Sequence, residues 1–148
     1  MEDTLAILKE YDFPPSQLWI EITERCRDLP ISMIKKTVTA FREAGIHITM
    51  DDYGTGSSSS QMMLELPVEG IKIDMFFVKD ILEEKKKQAL VIGMINFANA
   101  ADLRICIEGI ENDSLESYLR QFDVTCFQGY HYSRPICQDE LMKLLIKP

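Results

Sequence analysis

Five short apolar stretches of this sequence end in side chains that bind metal ions, move protons or form hydrogen bonds. These side chains are Glu21, Asp51, Asp52, Lys72, Glu108 and Gln128. Taken alone, each acidic residue would be interpreted as a solvated loop residue. Carboxylates that converge on one place repel one another unless a cation lies among them. Because oxygen ligands favour Mg²⁺ or Mn²⁺, the set predicts a metal centre if the five stretches are neighbouring strands.

The adjacent aspartates, Asp51 and Asp52, indicate which chemistry such a centre would perform. Two neighbouring carboxylates at a strand end can serve two metal ions, one residue bridging them and the other binding a single ion. Two-metal sites activate water and stabilise an in-line displacement at phosphorus. Lys72 would then hold the attacking water or neutralise phosphate charge. The residues therefore predict a metal-dependent phosphodiesterase or phosphatase.

Short strands and longer helices alternate along the chain and must position these residues. Runs of β-branched residues predict strands at Leu18–Thr23, Ile46–Met50, Val68–Asp74, Arg104–Glu108 and Val124–Gln128. Helical spacing of apolar residues predicts helices at Pro30–Ala44, Glu83–Ala101, Ser114–Phe122 and Gln138–Ile146. Residues 51–60, rich in glycine and serine, predict a loop. Short connections between alternating elements are typical of parallel βα units.

The two faces of the strands decide between an open doubly wound sheet and part of a (β/α)8 barrel. One face carries aliphatic residues such as Ile48, Ile71 and Ile105, and the other is mixed and polar. An open α/β sheet is covered by helices on both faces and would be apolar on both. We therefore predict an α/β fold, a partial TIM-like (β/α) barrel of about five parallel strands with intervening helices. Catalytic groups collect at the carboxyl ends of such strands.

Composition excludes several classes of protein. The 148 residues include 24 acidic and 16 basic ones, which gives a net charge of −8 and disfavours binding to DNA or RNA. Neither a membrane-spanning stretch nor a signal peptide is evident. The four cysteines lack disulfide-framework or metal-finger spacing and predict reduced thiols in a cytoplasmic protein; they are Cys26, Cys106, Cys126 and Cys137.

Five sequence strings resemble those of the EAL domain family, the cyclic di-GMP phosphodiesterases. The strings occur in the family's order and spacing; they are Glu21-Ile-Thr-Glu24, Asp51-Asp-Tyr-Gly-Thr-Gly-Ser-Ser58, Ile71-Lys-Ile-Asp74, Glu108-Gly-Ile-Glu111 and Gln128-Gly-Tyr-His-Tyr-Ser-Arg-Pro135. Each string alone is weak, but five in register make a chance resemblance very improbable. The resemblance implies a TIM-like barrel that hydrolyses cyclic di-GMP to linear pGpG with two Mg²⁺ or Mn²⁺ ions.

The resemblance also implies a role for each site residue. The implied metal ligands are Glu21, Asp51, Asp52 and Glu108, with Asp51 bridging the two ions. The implied catalytic residues are Lys72, Glu108 and Glu24: Lys72 orients the nucleophilic water, Glu108 acts as a second-metal ligand or general base, and Glu24 braces the loop after Asp52. Glu111 and Gln128 are implied supporting residues, and residues 53–60 resemble the family's dimer-associated loop.

Two departures from the family pattern affect the expected activity. Met75 and Phe76 stand where the family has Arg-Ser, which should change a helix start or a contact with substrate. The sequence also lacks the Glu-Ala-Leu triplet, the arginine that follows it and an upstream strand with a metal-binding asparagine. A complete barrel takes about 250 residues. We therefore expect residues 1–148 to be the C-terminal portion of an EAL domain.

Two functions remain open. The first is a cyclic di-GMP phosphodiesterase region that is impaired alone because the chain is truncated at its N-terminus. The second is a degenerate, non-catalytic EAL module that binds cyclic di-GMP or a protein partner. A partial barrel would leave two unpaired strand edges. We therefore also expect homo-oligomerisation, aggregation or a complementing N-terminal half.

Overall fold

One parallel sheet organises the protein. The computed structural model describes residues 2–23, 29–56 and 59–146. Its strands are β1 (Trp19–Ile22), β2 (His47–Tyr53), β3 (Gly70–Ile73), β4 (Arg104–Ile107) and β5 (Cys126–Phe127). Each strand pairs in parallel with the next one along the chain, in the order β1-β2-β3-β4-β5. The predicted α/β class with five parallel strands is confirmed.

Helices connect the strands. They are α1 (Glu2–Glu10), α2 (Ile31–Glu43), α3 (Ser59–Glu65), α4 (Met75–Val78), α5 (Lys85–Ala100), α6 (Asp113–Leu119) and α7 (Gln138–Leu145), and a 3₁₀ turn spans Pro15–Gln17. The sequence predicted α2, α5, α6 and α7 to within two or three residues at each end. The predicted loop at residues 51–60 was too long, because β2 continues to Tyr53 and α3 begins at Ser59.

The aliphatic face of the sheet forms the core. On β2, β3 and β4 its residues are at most 1% exposed; they are Ile48, Met50, Ile71, Ile73, Ile105 and Ile107. Helices α2 and α5 cover this face with residues such as Val38, Val91 and Ile95. Burying one such side chain contributes about 1.5–3 kcal/mol, so this layer fixes the strands whose ends carry the polar residues. The predicted aliphatic face is confirmed.

The opposite face of the sheet is concave and partly open. Trp19, Thr49, Arg104 and Thr125 are among the residues lining a cavity of about 270 Å³ on this face. At the amino ends of the strands the Trp19 ring stacks on His47 with 4.4 Å between centroids, and the Arg104 guanidinium lies 5.0 Å from the Trp19 ring. Within the described residues, strand pairing stops at β1 on one side and at β5 on the other.

None of the helices within the described ranges is long and apolar enough to cross a bilayer. The longest of them, α5, has 16 residues and carries three lysines in its first turn. A bilayer core requires about 20 mainly apolar residues in a helix.

Asn112 starts α6 and should contribute measurably to stability. Its side chain accepts a hydrogen bond of 2.9 Å from the backbone N–H of Leu115. We expect Asn112→Ala to lower the free energy of unfolding by about 1 kcal/mol, because the N–H would lose its partner. Urea denaturation measures the difference. Asn96→Ala, on the exposed side of α5, is the control and should cause no loss.

Candidate active site

A bulge in β2 places both aspartates on one side. Met50 pairs with Ile71 and Tyr53 with Ile73, so three steps along β2 match two steps along β3. In a regular strand neighbouring side chains point to opposite faces. Here the extra residue lies in the bulge, where Asp52 adopts a left-handed backbone with φ of 54°. Asparagine and aspartate tolerate this conformation better than other non-glycine residues.

Carboxylate oxygens of three residues converge as a result. One oxygen each from Asp51, Asp52 and Glu108 lie within 4.8 Å of one another. Glu108 follows β4, and its N–H extends the sheet by donating to the Ile73 carbonyl at 3.0 Å. The bulge in β2 and the end of β4 together form this group, which we call the carboxylate triad. The sequence predicted all three as metal ligands.

Lys72 lies beside the carboxylate triad, and its ammonium group pairs with carboxylates of the triad. Its Nζ is 2.7 Å from Glu108 Oε1, 2.9 Å from Asp51 Oδ1 and 3.0 Å from Glu21 Oε2. The Lys72 side chain is only 10% exposed. Burial alone would lower the pKa of Lys72, but the carboxylates of Glu108, Asp51 and Glu21 outweigh it and raise this pKa above its ordinary value. Lys72 is therefore a fixed positive charge and does not act as a base near neutral pH.

Asp51 provides the test of whether the triad fits a metal ion. Its buried Oδ1 lies 2.9 Å from the Lys72 ammonium, but Glu21 and Glu108 share that single cation. Three carboxylates around one ammonium leave negative charge in a partly buried place, which a divalent cation would offset. The triad offers oxygen ligands alone, which suit hard divalent ions such as Mg²⁺ and Mn²⁺. The residues fit the predicted metal centre.

The remaining predicted site residues occupy different places. Glu21 is half-exposed and hydrogen-bonds Lys72, but it lies outside the carboxylate triad. Gln128 lines the concave cavity together with Glu21 and Lys72. Glu111 lines a separate cavity of about 360 Å³ between the α4–α5 turn and the start of α6. Glu24 lies outside the described residues.

The segment after Lys72 begins a normal helix despite its unusual sequence. The Asp74 side chain accepts a hydrogen bond of 2.8 Å from the N–H of Phe76 and caps α4. The helix start after β3 is therefore capped by a side chain, and both expected consequences of Met75-Phe76 stay predictions. Both side chains are exposed, and the Lys87 ammonium lies 5.7 Å from the Phe76 ring centroid. Apolar surface now follows the carboxyl end of β3.

The loop after Asp52 packs against α5. Tyr53 stacks on Phe97 with ring centroids 6.3 Å apart. Gly54 has φ of +93°, and a Cβ there would collide with Met94. The loop and α5 border a groove of about 390 Å³. Gly54 therefore lies at a turn within the predicted loop, and residues 57 and 58 of that loop lie outside the described part.

A second polar cluster joins α6 to the segment after β5. His131 Nε2 is 3.1 Å from Glu116 Oε2 and 3.4 Å from Asp113 Oδ1. Arg120 also pairs with Glu116 and lowers the pKa of this carboxyl, with Tyr132 contributing next. A guanidinium in this position competes with any metal cation. The cluster is an ion-pair network that holds the β5 segment to α6.

Sequence reasoning missed a pair of thiols next to the site. Cys106 and Cys126 are partners across β4 and β5, although 20 residues separate them in the sequence. Burial raises the pKa of Cys106 to about 12, and the neighbouring Cys126 thiol contributes next. Strand register determines this pairing, and the spacing of cysteines along the chain does not show it.

Comparison with known sequences gives a consistent family relationship. Residues 1–135 match the EAL domain family. The cyclic di-GMP phosphodiesterase RocR of Pseudomonas aeruginosa is 30% identical over 142 residues. This alignment covers 95% of the present chain and 36% of RocR. The chain thus spans about a third of this relative.

Solved structures show the same architecture. The EAL domain of Mycobacterium smegmatis DcpA superposes with a TM-score of 0.92 at 30% identity, covering 97% of this chain and 65% of that domain. Klebsiella pneumoniae BlrP1, solved as a complex with manganese and cyclic di-GMP, gives a TM-score of 0.80 at 29% identity. That superposition covers 86% of this chain and 33% of BlrP1.

Proposed function

Because this chain belongs to the EAL domain family, we propose that it is the catalytic region of a cyclic di-GMP-specific phosphodiesterase that releases linear pGpG. The observation that carries the proposal is the carboxylate triad, whose oxygens lie within 4.8 Å of one another beside Lys72. Relatives support the substrate: RocR bears the name of a cyclic di-GMP phosphodiesterase, and BlrP1 was solved with manganese and the nucleotide.

Each residue of the site would have its own role in hydrolysis. Divalent ions, when bound, supply a Lewis acid and lower the pKa of water. Asp51, Asp52 and Glu108 would hold the ions, and Glu21 would contribute from β1. Lys72 keeps its proton, so it would orient the attacking water and neutralise negative charge that grows on phosphate in the transition state. Two roles fit Glu108, a metal ligand and the base that takes the proton of water.

A specific contact favours the second candidate function, a module that binds without cleaving. The Lys72 ammonium lies within 3.0 Å of Glu21, Asp51 and Glu108 and offsets one of their three negative charges. Part of the charge balance of the site is therefore present without metal ions. It would still present a fixed cation to the phosphates of a cyclic dinucleotide.

The first test is turnover by the purified chain. We expect conversion of cyclic di-GMP to pGpG by this chain alone to be weak, because the sequence lacks the Glu-Ala-Leu glutamate and the metal-binding asparagine of the family. Any turnover should require Mn²⁺ or Mg²⁺ and fall by about 10–100-fold or more in Asp51→Ala, since even supporting metal partners are worth that much. Chromatography of the nucleotides measures the product, and Asp139→Ala on exposed α7 is the control. Metal-dependent binding without product would favour the non-catalytic module. A folded chain that shows neither binding nor product would contradict both functions for this chain.

The strand edges support a proposal about partners. Among the described residues β1 and β5 each have one unpaired side, and unpaired edges invite further strands. We propose that a second copy of the chain or a complementing N-terminal half covers them. Size-exclusion chromatography with light scattering should then show oligomers of the isolated chain. A stable monomer at micromolar concentration would contradict self-association.

A further inference from the structure

Two cysteines face each other on the concave side of the sheet. Cys106 of β4 and Cys126 of β5 are register partners, and both line the cavity that contains Lys72. Neighbouring strands lie about 4.8 Å apart, and a disulfide joins Cα atoms about 4.4–6.8 Å apart. The two thiols are also close enough for Cys126 to contribute to the raised pKa of Cys106. The backbone spacing and the side-chain directions therefore both suit a bond between the two sulfur atoms.

The edge position of β5 provides the small movement that closure requires. A disulfide brings its Cβ atoms to about 3.5–4.5 Å, slightly closer than side chains of neighbouring strands usually lie. β5 has two residues and, within the described residues, pairs with β4 alone. Its anchoring hydrogen bonds flank the cysteine, from Thr125 N–H to Ile105 O and from Gln128 N–H to Ile107 O. While its other side is unpaired, as it is among the described residues, this short strand can shift toward β4 without disturbing another strand.

From this geometry we propose that Cys106 and Cys126 form a dithiol modification site, which hydrogen peroxide or a related hydroperoxide converts to an intramolecular disulfide. The exposed Cys126 reacts first: its sulfur takes one oxygen from peroxide, which leaves a sulfenic acid and one water. The Cys106 sulfur then attacks the Cys126 sulfur and displaces a second water. Two thiols lose two electrons and two protons, and peroxide is reduced to two waters.

Proximity makes the second step feasible although Cys106 is partly buried. A buried thiol is a weak nucleophile, but groups held in contact react with effective concentrations of about 10⁵–10⁸ M. Cys137, which is also exposed, lies beyond β5 and has no register partner in the described sheet. It therefore serves as the internal comparison for an unpaired thiol.

The bond would lie directly against the candidate active site. Cys106 is the register partner of Lys72 and precedes Glu108 by two residues, while Cys126 precedes Gln128 by two residues. A disulfide would therefore fix β5 to β4 at the level of Lys72. The modification itself is independent of phosphodiester hydrolysis, so it can be tested whether or not the chain cleaves cyclic di-GMP.

Peptide mapping of the full chain tests the proposal. Trypsin releases Cys106 in residues 105–120, and Cys126 in residues 121–143, since the Arg134-Pro135 bond resists cleavage. The second peptide also contains Cys137, so the test uses Cys137→Ser. After reduction, peroxide treatment and blocking of free thiols, we expect the two peptides joined, with the mass of two hydrogens missing and with reversal by dithiothreitol. Circular dichroism before and after treatment verifies the fold.

A matched variant separates a specific bond from random oxidation. In Cys126→Ser, which retains Cys137, we expect Cys106 to stay free and to take up iodoacetamide after denaturation. Linkage of Cys106 to Cys126 should be at least about tenfold faster than linkage to any other cysteine, because strand pairing holds these two in register. The proposal is overturned if folded, peroxide-treated Cys137→Ser keeps Cys106 and Cys126 separately alkylated. It is also overturned if Cys106 links to other cysteines as quickly in Cys126→Ser.

Discussion

Replacing Lys72 by methionine should destabilise the metal-free chain by about 3–5 kcal/mol, the usual cost of leaving buried charges unpaired. The side chains of Asp51 and Glu108 are 19% and 17% exposed, and both lie within 3.0 Å of the ammonium. Methionine fills similar space but carries no charge. The partly buried carboxylates would then repel one another where little water reaches them. Urea unfolding in EDTA compares Lys72→Met with wild type.

The matched control for that variant is Lys86→Met on the exposed side of α5. An exposed lysine contributes at most about 1 kcal/mol through ion pairs. A loss of this small size in Lys72→Met would mean that water, and not Lys72, balances the carboxylates. The same result would remove the physical basis for placing Lys72 at the centre of the site.

The pH dependence of this stabilisation follows from the raised pKa of Lys72. A group whose pKa is higher in the folded state stabilises that state fully below its unfolded pKa, which is about 10.4 for lysine. The contribution is lost only as pH rises above that value. The difference between wild type and Lys72→Met should therefore be equal at pH 7 and pH 9, and unfolding experiments at both values test this.

The alternation of residues in the strands predicted which face is buried, because the period of side chains along a strand is two. Ile48 and Ile71 lie in the core, and the polar ends of β2, β3 and β4 meet at one edge of the sheet. The alternation rule gave a wrong prediction where β2 is no longer regular. A strictly regular β2 would have separated Asp51 from Asp52, and only the bulge unites them.

Local patterns also left short elements undetected. Helix α4 has four residues and depends on the Asp74 cap and the burial of Phe77 and Val78, which the hydrophobic pattern alone does not reveal. Local patterns also do not reveal contacts between residues that are far apart in the sequence. The hydrogen bond between Glu21 and Lys72 joins residues 51 positions apart and depends on the order of strands. The family motifs predicted which residues form the site. The register of the sheet determines how those residues are arranged.

Manganese should stabilise the folded chain strongly if the carboxylate triad is its site. A ligand that binds only the folded state adds about 4.1 kcal/mol when its concentration is 1,000 times Kd. We expect a large rise in the free energy of unfolding with Mn²⁺, and loss of most of this rise in Asp51→Asn. Asparagine keeps the shape of the side chain but removes the charge of Asp51, one of the three carboxylates of the triad. Chemical denaturation at several Mn²⁺ concentrations measures the effect.

Two controls make that measurement specific to the triad. Asp139→Asn, in the exposed first turn of α7, should retain the full effect of Mn²⁺. Asp113→Asn alters a second cluster among the described residues that offers metal ligands, where Arg120 already pairs with Glu116, and it should also retain the effect. If Mn²⁺ no longer stabilised Asp113→Asn but still stabilised Asp51→Asn, the ion would bind at α6. Because metal binding is measured here without substrate, that result would contradict the proposed centre even if the chain proved inactive toward cyclic di-GMP.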